Sequence, residues 1–131
     1  LTIKINDKPF IYVITPNGLQ INDNNIRIAC KPKLLNDCDI VLQSNITKVN
    51  FNPILAIRDV LTDLSIPFNN YSFEKNIRFF ENLKLFCDIV FIKTNSVDVK
   101  LIDFIVEVFK ILAIKLCFDI ENNEIYIYNP L

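Results

Sequence analysis

The side chains in this sequence that could do chemistry are carboxylates, and two pairs stand out by their spacing. Asp37 and Asp39 flank Cys38. On a strand, residues two apart share a face, so both carboxylates could hold a hard cation such as magnesium. An acidic loop end facing water is the simpler account. Asp103 and Glu107 stand four apart within an apolar run over residues 98–118, which on a helix would put half of a carboxylate metal site on one face. The E-x-x-H companions of such a site are missing. Lys100 and Lys110 lie three residues to either side, so a surface ion-pair ladder explains this pair better. No metal and no cofactor is expected.

Much other chemistry is excluded by residues the chain lacks. With no histidine, Ser-His and Cys-His nucleophile pairs and His-based zinc sites cannot be written. With one glycine, neither G-x-G-x-x-G nor a phosphate-cradling P-loop can be written. The cysteines, Cys30, Cys38, Cys87 and Cys117, contain no C-x-x-C pair. Cys87 and Cys117 sit among apolar residues as small buried hydrophobes would. Reduced thiols, and with them a reduced intracellular compartment, are favoured. Two glycosylation sequons, at Asn45 and Asn70, are no more than an asparagine-rich sequence produces by chance.

Binding surfaces are sparse in sequence terms. Arg27, Lys31 and Lys33, with Lys4 and Lys8 near them in the chain, form the one basic cluster. It is the candidate nucleic-acid-binding set, though it lacks interleaved aromatics and any G-x-x-G or RNP pattern. Lysines guarding an edge strand against aggregation would look the same. Tyr126 and Tyr128 share one face of a strand, as do Phe10 and Tyr12. Each pair is core or sheet packing if covered and an interface anchor if exposed.

The elements that must position these residues read as follows. Thr2-Ile3-Lys4-Ile5 and the run from Pro9 to Ile14 flank Asn6-Asp7-Lys8, which predicts a hairpin. Thr15-Pro16-Asn17-Gly18 predicts a β-turn, with the glycine available for positive φ. Leu19-Gln20-Ile21 and Ile26-Arg27-Ile28 alternate about a turn at 22–25, so their apolar residues should face the core and the other face should be wet. Residues 38–42 and 46–51 read as further strands.

At Asn52-Pro53 the period changes to that of a helix, with Ile54, Ile57, Leu61 and Leu64 as its stripe. A second helix is expected over 73–85, capped by Ser72, then a buried strand over 89–92. The helix over 98–116 is the expected packing centre, because its polar residues Lys100, Asp103, Glu107 and Lys110 leave water only one narrow edge. Charges inside the run argue against a membrane span. The chain closes on a hairpin around 121–124.

These elements predict an α+β fold: a mostly antiparallel, hairpin-rich sheet with about three helices packed on one face. A length of 131 residues, 51% of them hydrophobic, suits a single domain. The absence of methionine fits a processed protein or a fragment of a longer chain. The prevalence of Ile, Asn, Lys and Phe reflects an AT-rich coding sequence more than the fold. A net charge of −1 gives no general attraction to nucleic acid or anionic lipid.

The leading functional expectation is a non-catalytic protein–protein interaction module, a subunit of a larger assembly. Its partner would be another protein or a second copy of the chain. Two alternatives are a nucleic-acid-binding subunit using the basic N-terminal third and a carboxylate-based, metal-dependent enzyme domain.

Overall fold

The computed structural model of this protein describes residues 1–41, 52–81 and 100–131. Within them the chain is α+β, with strands first and the helices gathered later. β1 (Thr2–Ile5), β2 (Lys8–Ile21) and β3 (Ile26–Pro32) form an antiparallel sheet in that order. The β1–β2 turn is made by Asn6 and Asp7, with φ of 51° and 63°. This is the double positive-φ geometry of a tight hairpin, for which short polar side chains are suited.

The segment expected to be a β-turn at 15–18 is instead an irregularity inside the 14-residue β2. Its ladder to β3 shifts between Ile14 and Leu19. Asn17 takes the positive φ of 58°, and Gly18 does not. Gly18 is needed for a different reason. A Cβ there would press into the Ala29 carbonyl oxygen and lie 2.7 Å from Thr15 Oγ1, while Thr15 Oγ1 itself donates to Ala29 O at 3.1 Å. A bulge replaces the turn because the ladder resumes on the same partner strand.

Two expected strands fall differently. Residues 33–38 form a short helix, α1 (Lys33–Cys38), which buries Leu34 and Cys38. The strand expected over 38–42 is therefore helix at its start, and among its described residues only Val41 makes an isolated bridge, to Lys100, while residue 42 lies outside them. The strands expected over 46–51 and 89–92 lie outside the described residues.

α2 (Pro53–Asp63) starts as the sequence predicts, with Pro53 at its first position and Asn52 Oδ1 accepting from the amides of Ile54 and Leu55. It buries Ile54, Ile57 and Leu61 together with Ala56 and Val60. α3 (Asn70–Phe79) begins earlier than expected. Its cap is Asn69, whose Oδ1 accepts from Ser72 N at 2.8 Å, so Ser72 sits inside the first turn. Phe73 and Phe80 are buried, and 82–85 lie outside the described residues.

α4 (Leu101–Ile111) is the expected central helix, shorter at both described ends. It buries Leu101, Ile105 and Phe109 and exposes Asp103, Glu107 and Lys110. The expected extension to residue 116 stops because Ala113 turns left-handed, with φ of 56°, and residues from Lys115 pair as a strand. β4 (Lys115–Asp119) and β5 (Glu124–Tyr128) form the expected hairpin, with Asn123 at φ 52° and Asp119 accepting from Asn122 N.

The core lies among α2, α3, α4 and the inner face of β4–β5, where Leu61, Phe73, Ile105, Phe109 and Ile125 are sealed from water. Burying each such side chain contributes roughly 1.5–3 kcal/mol against conformational entropy. A polar seam locks α3 onto β5. Ser72 Oγ accepts from Ile127 N, Asn76 Nδ2 donates to Ser72 O, and Asn129 Nδ2 donates to Asn76 Oδ1 at 2.9 Å. Asn76 is the one buried polar residue among those described, and this seam satisfies it.

The expectation that helices cover one face of the main sheet needs correcting. The helices α2 to α4 pack on the β4–β5 hairpin and on one another, and α1 is the helix that packs on β2 and β3. Among the described residues, no helix is long and apolar enough to cross a membrane.

Candidate functional site

The register of the N-terminal sheet sorts its side chains. Residues opposed across an antiparallel ladder project to the same side. Ile3 faces Phe10 and Ile5 faces Lys8. Tyr12 faces Pro32 and Ile14 faces Cys30. Beyond the bulge, Leu19 faces Ile28 and Ile21 faces Ile26. Since Ile26, Ile28 and Cys30 alternate along β3, all these residues lie on one side. The other side carries Lys4, Arg27 and Lys31 with Thr2 and Gln20.

The apolar side is open to water, as is the polar one. Ile21 is 70% exposed, Ile26 68% and Leu19 54%, and Ile3, Ile5, Ile14 and Ile28 are exposed as well. Phe10 and Tyr12, expected as a face-sharing pair, lie on this side and are half-buried. The alternation of Leu19 and Ile21 with polar residues predicts an inward apolar face; that face is instead exposed, and among the described residues α2 to α4 pack on the β4–β5 hairpin and on one another. Monomeric proteins rarely leave contiguous apolar patches of more than a few hundred Å² uncovered, and larger ones mark interaction sites. Lys8, the one charged side chain on this side among the described residues, is drawn off to Glu121 at 2.6 Å. That carboxylate holds the Lys8 ammonium above its usual pKa by a hydrogen bond and by its charge.

The expected basic cluster and the expected acid pair meet each other. Lys31 reaches Asp39 at 3.2 Å, and Lys33 pairs with Asp37 one helical turn on. Asp39 also takes Lys100 at 3.0 Å, and these two ammonium groups, Lys100 foremost, hold its carboxyl below the ordinary range. Asp37 is on α1 and Asp39 at its C-cap, so the shared strand face that a cation would need is not formed. Arg27 shares the polar side of the sheet with Lys31 and faces Gln20 across the ladder. On α4, Lys110 pairs with Glu107 at 3.1 Å, while Lys100 leaves the ladder for Asp39.

Tyr126 and Tyr128 project from the outer face of β5, 37% and 52% exposed. Tyr126 lies opposite Cys117 and keeps its proton above the ordinary tyrosine range, first through a hydrogen bond with that cysteine. Burial, with Asp37 nearby, pushes the Cys38 thiol up to about 11. An open groove of about 480 Å³ between α4 and β4 has Phe109, Ala113 and Leu116 in its lining with Lys110 and Lys115. Among the described residues no carboxylate lines it, so these bring no acid–base pair together. Among the described residues no group of three or more Cys, Asp and Glu side chains is placed to hold a metal ion.

Compared with known protein families, curated proteins and solved structures, the chain finds no match.

Proposed function

We propose that this chain is a non-catalytic protein–protein interaction module that docks through the apolar side of β1–β2–β3. The observation that carries the reading is the cross-strand pair Ile21 and Ile26, each about two-thirds exposed at the turn end of the β2–β3 hairpin. Leu19 and Ile28 continue it along the same side. Leaving such a surface in water is unfavourable by about 25 cal/mol per Å², a cost that docking removes.

The nucleic-acid alternative draws less support, since Lys31 and Lys33 are already paired with Asp39 and Asp37. The carboxylate-enzyme alternative loses the same two acids to those lysines.

Fluorescence of an apolar dye, read over a protein dilution series beside a measurement of mass, tests the docking surface. The folded chain should either bind dye when dilute or associate as it is concentrated. Ile26→Glu should reduce whichever occurs without lowering the thermal midpoint, since the side chain is mostly in water. A chain that stays monomeric and leaves the dye unbound contradicts the reading.

A further inference from the structure

We infer that the apolar side of β1–β2–β3 is the face of a self-complementary pair, taken up by a second copy of this chain packed sheet to sheet about a twofold axis. The inference rests on the docking role proposed above and names its partner.

Charge is the first argument. Across a twofold axis each residue near the centre meets its own kind, so a like charge there meets itself. Among the described residues this side carries no charged side chain except Lys8, which lies at the hairpin turn and is held by Glu121. The charges of the sheet, Lys4, Arg27 and Lys31, stand on the opposite side. A face with no charge pattern offers nothing by which to select a charged foreign partner, and it meets the condition for pairing with itself.

Area is the second. Eight aliphatic side chains of this side, from Ile28 back to Leu1, which pairs with Tyr12 across the ladder, are between 37% and 70% exposed. Together they offer on the order of 800 Å², about what one partner contributes to a standard-size stable interface. Shape is the third. Pleated faces of Ile and Leu pack on one another about 10 Å apart, at an angle of about 30° that follows from their common twist. A second copy brings the same twist and the same pleat.

Sedimentation velocity over a concentration series tests this, with Cys30 as an internal reporter. Cys30 lies on the same side, opposite Ile14, as a free and partly exposed thiol. The chain should pass from monomer to dimer, and alkylation of Cys30 should slow in step, while that of Cys117 on the β4–β5 hairpin stays constant. Ile26→Glu should weaken the dimer by about tenfold or more, because symmetry places two unpaired carboxylates in the interface. Leu19→Lys should do the same by a different charge, and circular dichroism should show both variants folded. A chain that is monomeric throughout yet binds apolar dye overturns self-pairing and leaves the docking role standing. A monomer that binds no dye overturns both. A dimer indifferent to both substitutions, with Cys30 equally reactive at all concentrations, places the contact elsewhere and also overturns the inference.

Discussion

Gly18 shows how much one residue decides in a chain with a single glycine. Its backbone φ is ordinary, so its role is to let two backbone segments approach. A methyl there would lie 2.8 Å from Thr15 O and closer still to Ala29 O. Both are main-chain atoms, which cannot step aside as a flexible side chain would. Gly18→Ala is therefore expected to destabilise by about 1–3 kcal/mol, the range for forced overpacking, as read by denaturant unfolding. At Cys38 the expectation concerns rate. The thiol is buried and its pKa raised to about 11, so it is protonated at neutral pH. Because the thiolate is the reactive form, Cys38 should alkylate far more slowly than the partly exposed Cys30 and Cys117, as peptide mapping after timed labelling would show.

Helix ends carry the clearest consequences at the next scale. α2 and α4 both stop in the same way. Ser65 and Ala113 take φ of 57° and 56°. The amides two residues past each C-cap close back, Ile66 N onto Leu61 O and Ile114 N onto Phe109 O. This is the Schellman arrangement, whose left-handed position usually holds glycine. An alanine there carries a strain of about 1–2 kcal/mol, so Ala113→Gly should stabilise by about 0.5–1 kcal/mol once the freer unfolded chain is allowed for. A calorimetric midpoint that falls instead would show the strain to be relieved elsewhere.

Asp39 joins elements by charge, tying β3 through Lys31 and α4 through Lys100. Its folded pKa is lowered, so its contribution is present above the unfolded value of about 3.9 and fades as pH falls through the lower folded one. The carboxylate is fully exposed, which keeps the effect small. Asp39→Asn should flatten part of the loss of stability below about pH 4 and leave the rest to other carboxylates, including Asp119.

These ends also mark where the sequence was legible. Asn52-Pro53, Asn6-Asp7 and Asn122-Asn123 each carry a local chemical reason to cap or turn, and each does so. The stop of α4 carries none. The run Ile-Leu-Ala-Ile is as good a helix as what precedes it, and only pairing of Lys115–Asp119 with Glu124–Tyr128 ends it. α1 has no side-chain cap either, and its six residues are too few to show a helical period.

For the molecule as a whole, the proposed docking role turns on which sheet the helices choose. The apolar stripes of α2, α3 and α4 could be read from their spacing, and so could the alternation of β1, β2 and β3. Alternation says that a strand has an apolar side, not what covers it. Here the C-terminal hairpin, two strands of five residues each, takes the helices, and the larger N-terminal sheet keeps its apolar side open. Tyr126 and Tyr128 were legible as a pair on the last strand for the same reason, and their exposure was not. Lys31 and Lys33 could be read as a cluster from their spacing, while their pairing with Asp39 and Asp37 depends on the turn into α1, which the spacing does not show.

The central claim is that this open side is free in the single chain and covered on association. Methyl relaxation by a soluble paramagnetic agent, recorded on the isoleucines at low and high protein concentration, tests it most directly. Ile21, Ile26 and Ile28 should relax fast in the dilute chain and become protected when it is concentrated, while Ile54, Ile57 and Ile105 stay protected throughout. Methyls of Ile21 and Ile26 as sheltered in the dilute monomer as that of Ile54 would contradict the account.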